Sequence, residues 1–116
     1  MSASPFAAVL DALIRQRGVR GSLVVSANDG IIIDSNLQFG QDGGRIAALA
    51  ASLYRKARKS AAAAGLGGTG FMQLEAENGR ICALGGEEIL LVVVAEPTAN
   101  VGLIRVELMH SAEALA

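Results

Sequence analysis

The stretch Glu88-Ile-Leu-Leu-Val-Val-Val-Ala95 decides the fold class of this chain. Residues 90–94 are apolar at every position, which is typical of a central strand whose two faces are both covered. A sheet with helices on both faces requires a central buried strand, and this stretch supplies one. Pro97-Thr98 follows at once, and we expect this pair to end the strand and to cap a final helix.

Four more strands are predicted on the N-terminal side of this stretch. Their ranges are 21–27, 31–34, 70–77 and 80–84. Asn28-Asp29-Gly30 separates the first two, and an Asx-Gly pair between β-branched runs is typical of a β-hairpin. Asn78-Gly79 separates the other two and is the strongest short hairpin signal, while Gly85-Gly86 is expected to make the next turn. Residues 36–44 are expected to form a loop.

Three amphipathic helices complete the predicted order, helix, two strands, helix, three strands, helix. In the first, Ser4-Pro5 is a favourable N-cap and first-turn pair, and Gly18 ends the helix. The second covers 43–64, with Asp42 as its cap and Gly65 as its terminator. The apolar stripes are Phe6, Val9, Leu10, Leu13 and Ile14 in the first helix and Val101, Ile104, Leu108, Ala112 and Leu115 in the third.

The second helix has two different sides. Its large apolar residues are expected to lie on one stripe: Ile46, Leu49, Leu53 and Tyr54. The other side carries Arg45, Ser52, Arg55, Lys56 and Lys59, interleaved with Ala48, Ala51, Ala62 and Ala63. The alanines can reflect helix propensity alone, or they can allow a second helix to approach closely. The residues by themselves leave both interpretations open.

Composition limits the classes of function. A length of 116 residues fits one domain over 1–116, and a net charge of −1 gives no electrostatic reason to expect nucleic acid or an anionic membrane as a partner. Cys82 is the only cysteine, so no intrachain disulfide can form. Residues 1–6 lack the features of a signal peptide, and the run 89–95 is too short to span a bilayer. A cytoplasmic protein is the expected class.

Motifs for catalysis or for cofactor binding are weak. Residues 65–70, Gly-Leu-Gly-Gly-Thr-Gly, match the dinucleotide pattern G-x-G-x-x-G, but they follow a helix and precede a strand, which is the reverse of the required order. A helix-to-strand connection is the favoured interpretation. His110 is the only histidine and is expected at the surface, and Cys82 is expected in the core. One histidine and one cysteine nearly exclude a zinc site.

Carboxylates offer no clear alternative. Glu75 and Glu77 share one face of a predicted strand, and Glu87-Glu88 lie in a turn. Asp29 and Asp34 flank the first hairpin, where the turn explains Asp29. Nothing in their spacing indicates a pair of carboxylates with raised pKa values. We therefore expect no catalytic residue, no cofactor and no metal in this chain.

Several segments, in this order, resemble the roadblock dynein-light-chain family. They are Gly18-Val-Arg-Gly-Ser-Leu-Val-Val-Ser26, Asp29-Gly-Ile-Ile-Ile-Asp34, Ile46-Ala-Ala-Leu-Ala-Ala-Ser-Leu53, Leu90-Leu-Val-Val-Val-Ala95 and Asn100-Val-Gly-Leu-Ile-Arg105. Each segment alone is weak, but together they cover nearly the whole chain. The resemblance implies an α+β, profilin-like fold. It has a five-stranded antiparallel sheet with the first and third helices on one face and the second helix on the other.

The resemblance also implies a homodimer, in which third strands pair edge to edge and second helices pack across the two-fold axis. An unpaired edge strand at 70–77 agrees with this, because exposed edges are usually paired or blunted. The residues expected at the dimer interface are Ala48, Ala51, Phe71, Gln73 and Glu75.

Bacterial proteins similar to this one are typically partners of small Ras-like GTPases, and one branch accelerates GTP hydrolysis. The resemblance places the partner surface on the second helix, at Arg45, Ser52, Arg55, Lys56 and Lys59. Arg55 is a candidate arginine finger, although activators of this family are thought to act by reshaping the GTPase. The chain lacks extra terminal segments that some activating members carry, which leaves the activating role open. Alternatives are a structural scaffold that does not sense the nucleotide, and an enzyme that uses the glycine-rich connection.

Overall fold

The computed structural model describes residues 4–115. Its helices and strands run in the predicted order: α1 (Ala7–Ile14), β1 (Val19–Ser26), β2 (Ile32–Leu37), α2 (Gly43–Ala63), β3 (Phe71–Ala76), β4 (Gly79–Gly85), β5 (Ile89–Ala95) and α3 (Val101–Leu115). The five strands form one antiparallel sheet in the order β2-β1-β5-β4-β3. Residues 1–3 and 116 lie outside the described residues. The two ends of the expected domain 1–116 therefore lie outside them as well. So does the first half of segment 1–6, which was predicted not to be a signal peptide.

The all-apolar strand β5 lies at the centre of the sheet, as predicted. Leu91, Val93 and Ala95 face the layer formed by α1 and α3, whereas Leu90 and Val92 face α2. Both sets are buried because helices cover both faces. The layer arrangement implied by the resemblance is therefore confirmed.

The predicted limits of α1 are wrong at both ends. Its N-cap is Phe6, without a side-chain hydrogen bond, and not Ser4, and the helix ends at Ile14 with Arg15 as its C-cap, before Gly18 is reached.

Two further local predictions about caps and turns are wrong. Thr98 does not cap α3; Asn100 does, since its Oδ1 accepts from the Leu103 N–H at 3.1 Å. The β3–β4 turn consists of Glu77 and Asn78, and Gly79 is already the first residue of β4. Gly79 has no positive φ, and a Cβ there would lie 3.2 Å from the Ala95 carbonyl oxygen, so this glycine serves close strand packing.

The ends of α2 are formed as the sequence predicts. The Asp42 side chain accepts from the Arg45 N–H at 3.1 Å, which satisfies a backbone donor that the first helical turn leaves unpaired. Gly65 follows the helix with φ +78°, a conformation that glycine adopts without steric cost. The loop between β2 and α2 is shorter than the predicted range 36–44, because β2 continues to Leu37.

Candidate partner-binding surfaces

A groove runs between α2 and the β3–β4 hairpin, with a volume of about 450 Å³. Ile46 and Leu49 line it from the helix and Leu74 lines it from β3. The Leu49 side chain is 44% exposed although it is large and apolar. An exposed apolar strip beside an unpaired strand is a feature of protein interfaces.

Within residues 4–115, the strand beside this groove leaves a row of backbone groups without strand partners. Gly85 donates its N–H to the Gly70 carbonyl oxygen at 2.9 Å, and in the same ladder Phe71 faces Leu84. Bonded and non-bonded pairs alternate in an antiparallel ladder. Residues 72, 74 and 76 therefore direct their N–H and C=O groups to β4, while 71, 73 and 75 direct theirs to the open edge.

Three of the expected interface residues, Phe71, Gln73 and Glu75, belong to this open edge through their backbones. Their side chains lie on the α1–α3 face of the sheet. Phe71 packs under the Arg105 guanidinium, 4.9 Å from the ring centroid, and Glu75 lies 3.4 Å from Arg80 across the hairpin. Their side chains therefore lie on the face of the sheet away from α2.

The side chains that lie on the α2 side of the β3 edge were not among the expected interface residues. Met72 and Leu74 contact the core on the α2 side, with Ile46 beside them. The period-two alternation of a strand was the signal that could have found them, because residues 72 and 74 share a face opposite to 71 and 73.

The two expected interface alanines lie elsewhere. Ala51 is fully buried within the chain, so its assignment to a contact with a partner helix is wrong. Ala48 is exposed on the flank toward the β1–β2 turn. A Cβ at Gly30 would lie 3.4 Å from both Ala48 Cα and Ala51 Cβ. The small residues thus allow the turn at Gly30, φ +72°, to approach the helix.

The expected apolar stripe of α2 also needs correction. Of its four members only Tyr54 is buried, with its hydroxyl donating to the Thr69 carbonyl oxygen at 2.8 Å. The buried face consists mainly of small residues, Gly43, Ala47, Ala50 and Ala51. Ile46, Leu49 and Leu53 lie on the flank that borders the groove, because they are displaced around the helix from that face.

The residues expected to bind a partner separate into two groups. Arg45, Ser52 and Lys56 share the outer side of α2, where the Arg45 side chain is 90% exposed and pairs with Asp42 at 3.3 Å. Arg55 and Lys59 lie on the flank toward the β1–β2 turn.

The Arg55 guanidinium is already engaged. Its Nη1 donates to the carbonyl oxygens of Ala27 and Asn28 at 3.1 and 3.0 Å. These bonds tie α2 to the end of β1, and they oppose the use of Arg55 as a finger that extends into another protein.

The remaining candidates for chemistry have structural explanations. His110 is exposed on α3, and residues 65–70 connect a helix to a strand, as expected. Burial raises the pKa of the Cys82 thiol to about 11, so the thiol is neutral near pH 7. Hydrogen bonds from Ser26 and then from the Ile31 N–H lower the pKa of Asp29. Among residues 4–115 no group of three potential metal ligands occurs, and no helix could cross a bilayer.

An antiparallel sheet between two helical layers, with one regular edge beside a long helix, agrees with the roadblock fold that the resemblance implies. The sequence comparison agrees, because the Roadblock/LC7 domain family matches residues 5–95. The chain therefore belongs to the Roadblock/LC7 family.

Relatives and solved structures extend over nearly the whole chain. An uncharacterized protein of Methanocaldococcus jannaschii is 33% identical over 105 residues, covering 90% of this chain and 91% of the relative. MglB of Myxococcus xanthus has a TM-score of 0.85 at 21% identity, covering 99% of this chain and 94% of MglB. The gliding protein MglB of Thermus thermophilus has a TM-score of 0.83 at 22% identity, covering 100% of this chain and 91% of that protein. At these identities the structural likeness establishes the fold.

Proposed function

We propose that this protein is a homodimeric regulator that binds a small Ras-like GTPase through the α2 side of the dimer. Membership of the Roadblock/LC7 family and the likeness of the fold to MglB support this class of function. The chain acts as one domain over 1–116 in the cytoplasm, and it regulates a partner and is not itself an enzyme.

The observation that carries the proposal is the open β3 edge beside the apolar groove. A second copy placed on the same edge by a two-fold axis pairs β3 with β3, since the outward N–H and C=O groups of 71, 73 and 75 meet the same groups of its mate. The same operation brings Leu49, Ile46 and Leu74 toward their own copies. Apolar area that is exposed in one copy is then removed from water.

The dimer gives the polar side of α2 a role. Helical spacing places Arg45, Ser52 and Lys56 on the outer side of α2, adjoining the groove-lining Leu49. Two copies would then bring them around the two-fold axis as one basic surface. A surface of this kind favours a partner with an acidic contact region and accelerates the encounter with it. Because Arg55 is bonded to its own chain, any effect on GTP hydrolysis arises by reshaping the GTPase.

The test is binding to candidate small Ras-like GTPases loaded with GDP or with a non-hydrolysable GTP analogue. We expect affinity to depend on the nucleotide, and Lys56→Glu to weaken the complex at least about tenfold by charge reversal. Arg17→Glu is the matched control, because Arg17 is an exposed base in the α1–β1 connection.

Each alternative outcome has a clear meaning. Equal binding to both nucleotide states favours the structural scaffold. Absence of binding to every candidate, or equal losses from Lys56→Glu and Arg17→Glu, contradicts the proposed surface.

A further inference from the structure

A second concave surface lies on the opposite flank of α2 from the groove, and we call it the basic pocket. It has a volume of about 450 Å³. Its lining residues are Asn28, Arg55, Arg58, Lys59, Ala62, Gly67 and Gly68. The helical members follow the spacing i, i+3, i+4, i+7, so three cationic side chains lie on one face of the helix.

Two of the three cations are held in place by the fold. Arg55 donates to the Ala27 and Asn28 carbonyl oxygens. The Arg58 guanidinium lies 5.7 Å from the centre of the Tyr54 ring, which is itself buried. Side chains that are ordered before binding lose less conformational entropy when a ligand arrives.

The charge of the basic pocket is not balanced by its lining. None of the seven lining residues is acidic. The ion pairs found in the described part of the chain involve Arg20, Arg45 and Arg80, which lie outside this pocket. The nearby carboxylate of Asp29 accepts from the Ile31 N–H within its own turn, and its attraction to Arg55 is the last and smallest of the causes that lower its pKa.

The opposite wall comes from the glycine-rich connection between α2 and β3. A Cβ added at Gly67 or at Gly68 would meet no atom of the described residues within 4 Å, so among them the backbone here borders open space. Gly67 has φ +82°, which glycine adopts readily. A ligand in the basic pocket can therefore approach this backbone without obstruction by side chains.

We propose that the basic pocket binds a phosphoanion, with Arg58 and Lys59 as its principal ligands and the glycine-rich connection as its second wall. A phosphoryl group carries about two negative charges and several acceptor oxygens, and it can satisfy a guanidinium and an ammonium group together. A single carboxylate has one charge and two oxygens, which is a poorer match to three cations. The inference does not depend on the proposed GTPase partner or on dimerisation.

The experiment is a titration of the full chain with pyrophosphate, followed by backbone amide shifts in two-dimensional NMR. We expect saturable shifts at Gly67 and Gly68. Arg58→Gln raises the dissociation constant at least about tenfold, because it removes a charge-assisted donor. Lys56→Gln is the matched control, since it removes one charge from the same helix outside the basic pocket.

Three results would overturn the proposal. The first is the absence of saturable shifts at millimolar pyrophosphate. The second is an equal loss of affinity in Arg58→Gln and Lys56→Gln, which would indicate a diffuse charge effect. The third is equally tight binding of succinate, which would indicate carboxylate recognition. Inorganic phosphate in a parallel titration separates recognition of one phosphoryl group from recognition of two, and thermal unfolding of both variants shows that the fold is intact.

Discussion

The two edges of the sheet differ in backbone geometry. At β2 the pairing shifts between Val24 and Val25, because Val24 faces Asp34 while Val25 faces Ile32, which leaves Ile33 as an extra residue. This β-bulge bends the strand and interrupts its row of hydrogen-bonding groups. At β3 six consecutive pairs, from 71 with 84 to 76 with 79, continue without a shift.

A side chain adds to the difference. The Ser35 N–H on β2 is occupied by the Asp34 carboxylate, whose Oδ1 accepts it at 2.8 Å. Gln38 donates to the Arg20 carbonyl oxygen, and by the alternation of the ladder this places the Ser35 N–H on the outer side of the strand. The β2 edge is therefore blocked by its own chain, whereas the β3 edge is regular.

Exposed apolar side chains alone do not distinguish the two edges. Ile31 and Ile33 near β2 are 63% and 48% exposed, compared with 44% for Leu49 beside β3. The backbone makes the difference, because a strand can be added only to a regular row of unpaired groups. β3 is therefore the edge suited to pairing with a second copy.

The largest expected effect comes from the same substitution beside each edge. Leu49→Glu places an unpaired carboxylate in the proposed interface, so the dimer dissociation constant should rise at least about a hundredfold. Ile33→Glu introduces the same charge beside β2 and should leave dimerisation unchanged. Sedimentation equilibrium measures both, and equal effects of the two substitutions would contradict the assignment of the β3 edge.

Proline substitutions at two successive positions of β3 test its two sets of backbone N–H groups separately: those that point to the open edge and those that point to β4. Gln73→Pro removes an N–H that points to the open edge. In a symmetric dimer this costs two hydrogen bonds, about 2 kcal/mol or roughly thirtyfold in dissociation constant. Leu74→Pro removes an N–H directed to β4 and leaves its acceptor unpaired, so it should destabilise the monomer fold by about 1–3 kcal/mol. Sedimentation and chemical unfolding together distinguish the two results. A Gln73→Pro protein that dimerises normally would exclude β3–β3 pairing.

The sequence predicted the layers well because their signals are strong and local. The run 90–94 is apolar throughout since both faces of β5 are covered, and helix periodicity identified α1 and α3. Two of the failures concern small residues. Gly79 looked like a turn residue but provides space against β5, and Ala51 looked like a partner contact but provides space for Gly30.

The candidate sites were harder to predict for the same physical reason. A sequence shows that a residue is small, but it does not show which neighbour approaches it. Arg55 and Lys59 were expected at the same surface as Arg45, although a helix of this length presents several faces. The β-bulge at Ile33 has no sequence signal of its own, since residues 31–33 are all isoleucine and nothing distinguishes the third from its neighbours.

The Cys82 thiol tests how well β4, the strand next to β3, is buried, because Cys82 is the partner of Gln73 in the β3–β4 ladder. The thiol pKa is raised from 9.0 to about 11 in the folded chain. Above pH 9 the unfolded chain binds fewer protons, so the free energy of unfolding falls as pH rises, by about 1.4 kcal/mol at about pH 10. Chemical unfolding across this range should show the loss in the wild type, and Cys82→Ala should lack this part of it. Identical pH profiles would show that the thiol is not held in a dry site.

The smallest effect is expected from removing the Asp34 carboxylate, which occupies the Ser35 N–H at the β2 edge. Asp34→Ala frees the Ser35 N–H and should cost about 0.5–1 kcal/mol of stability. It should also increase association beyond the dimer only slightly, because the bulge at Ile33 still interrupts the strand. Asp34→Asn keeps an acceptor oxygen without the charge, so it separates the hydrogen bond from electrostatic repulsion. Light scattering over a concentration series measures the association. If Asp34→Ala assembles no more than the wild type, the bulge alone is sufficient to block this edge, and the carboxylate serves only the stability of its own turn.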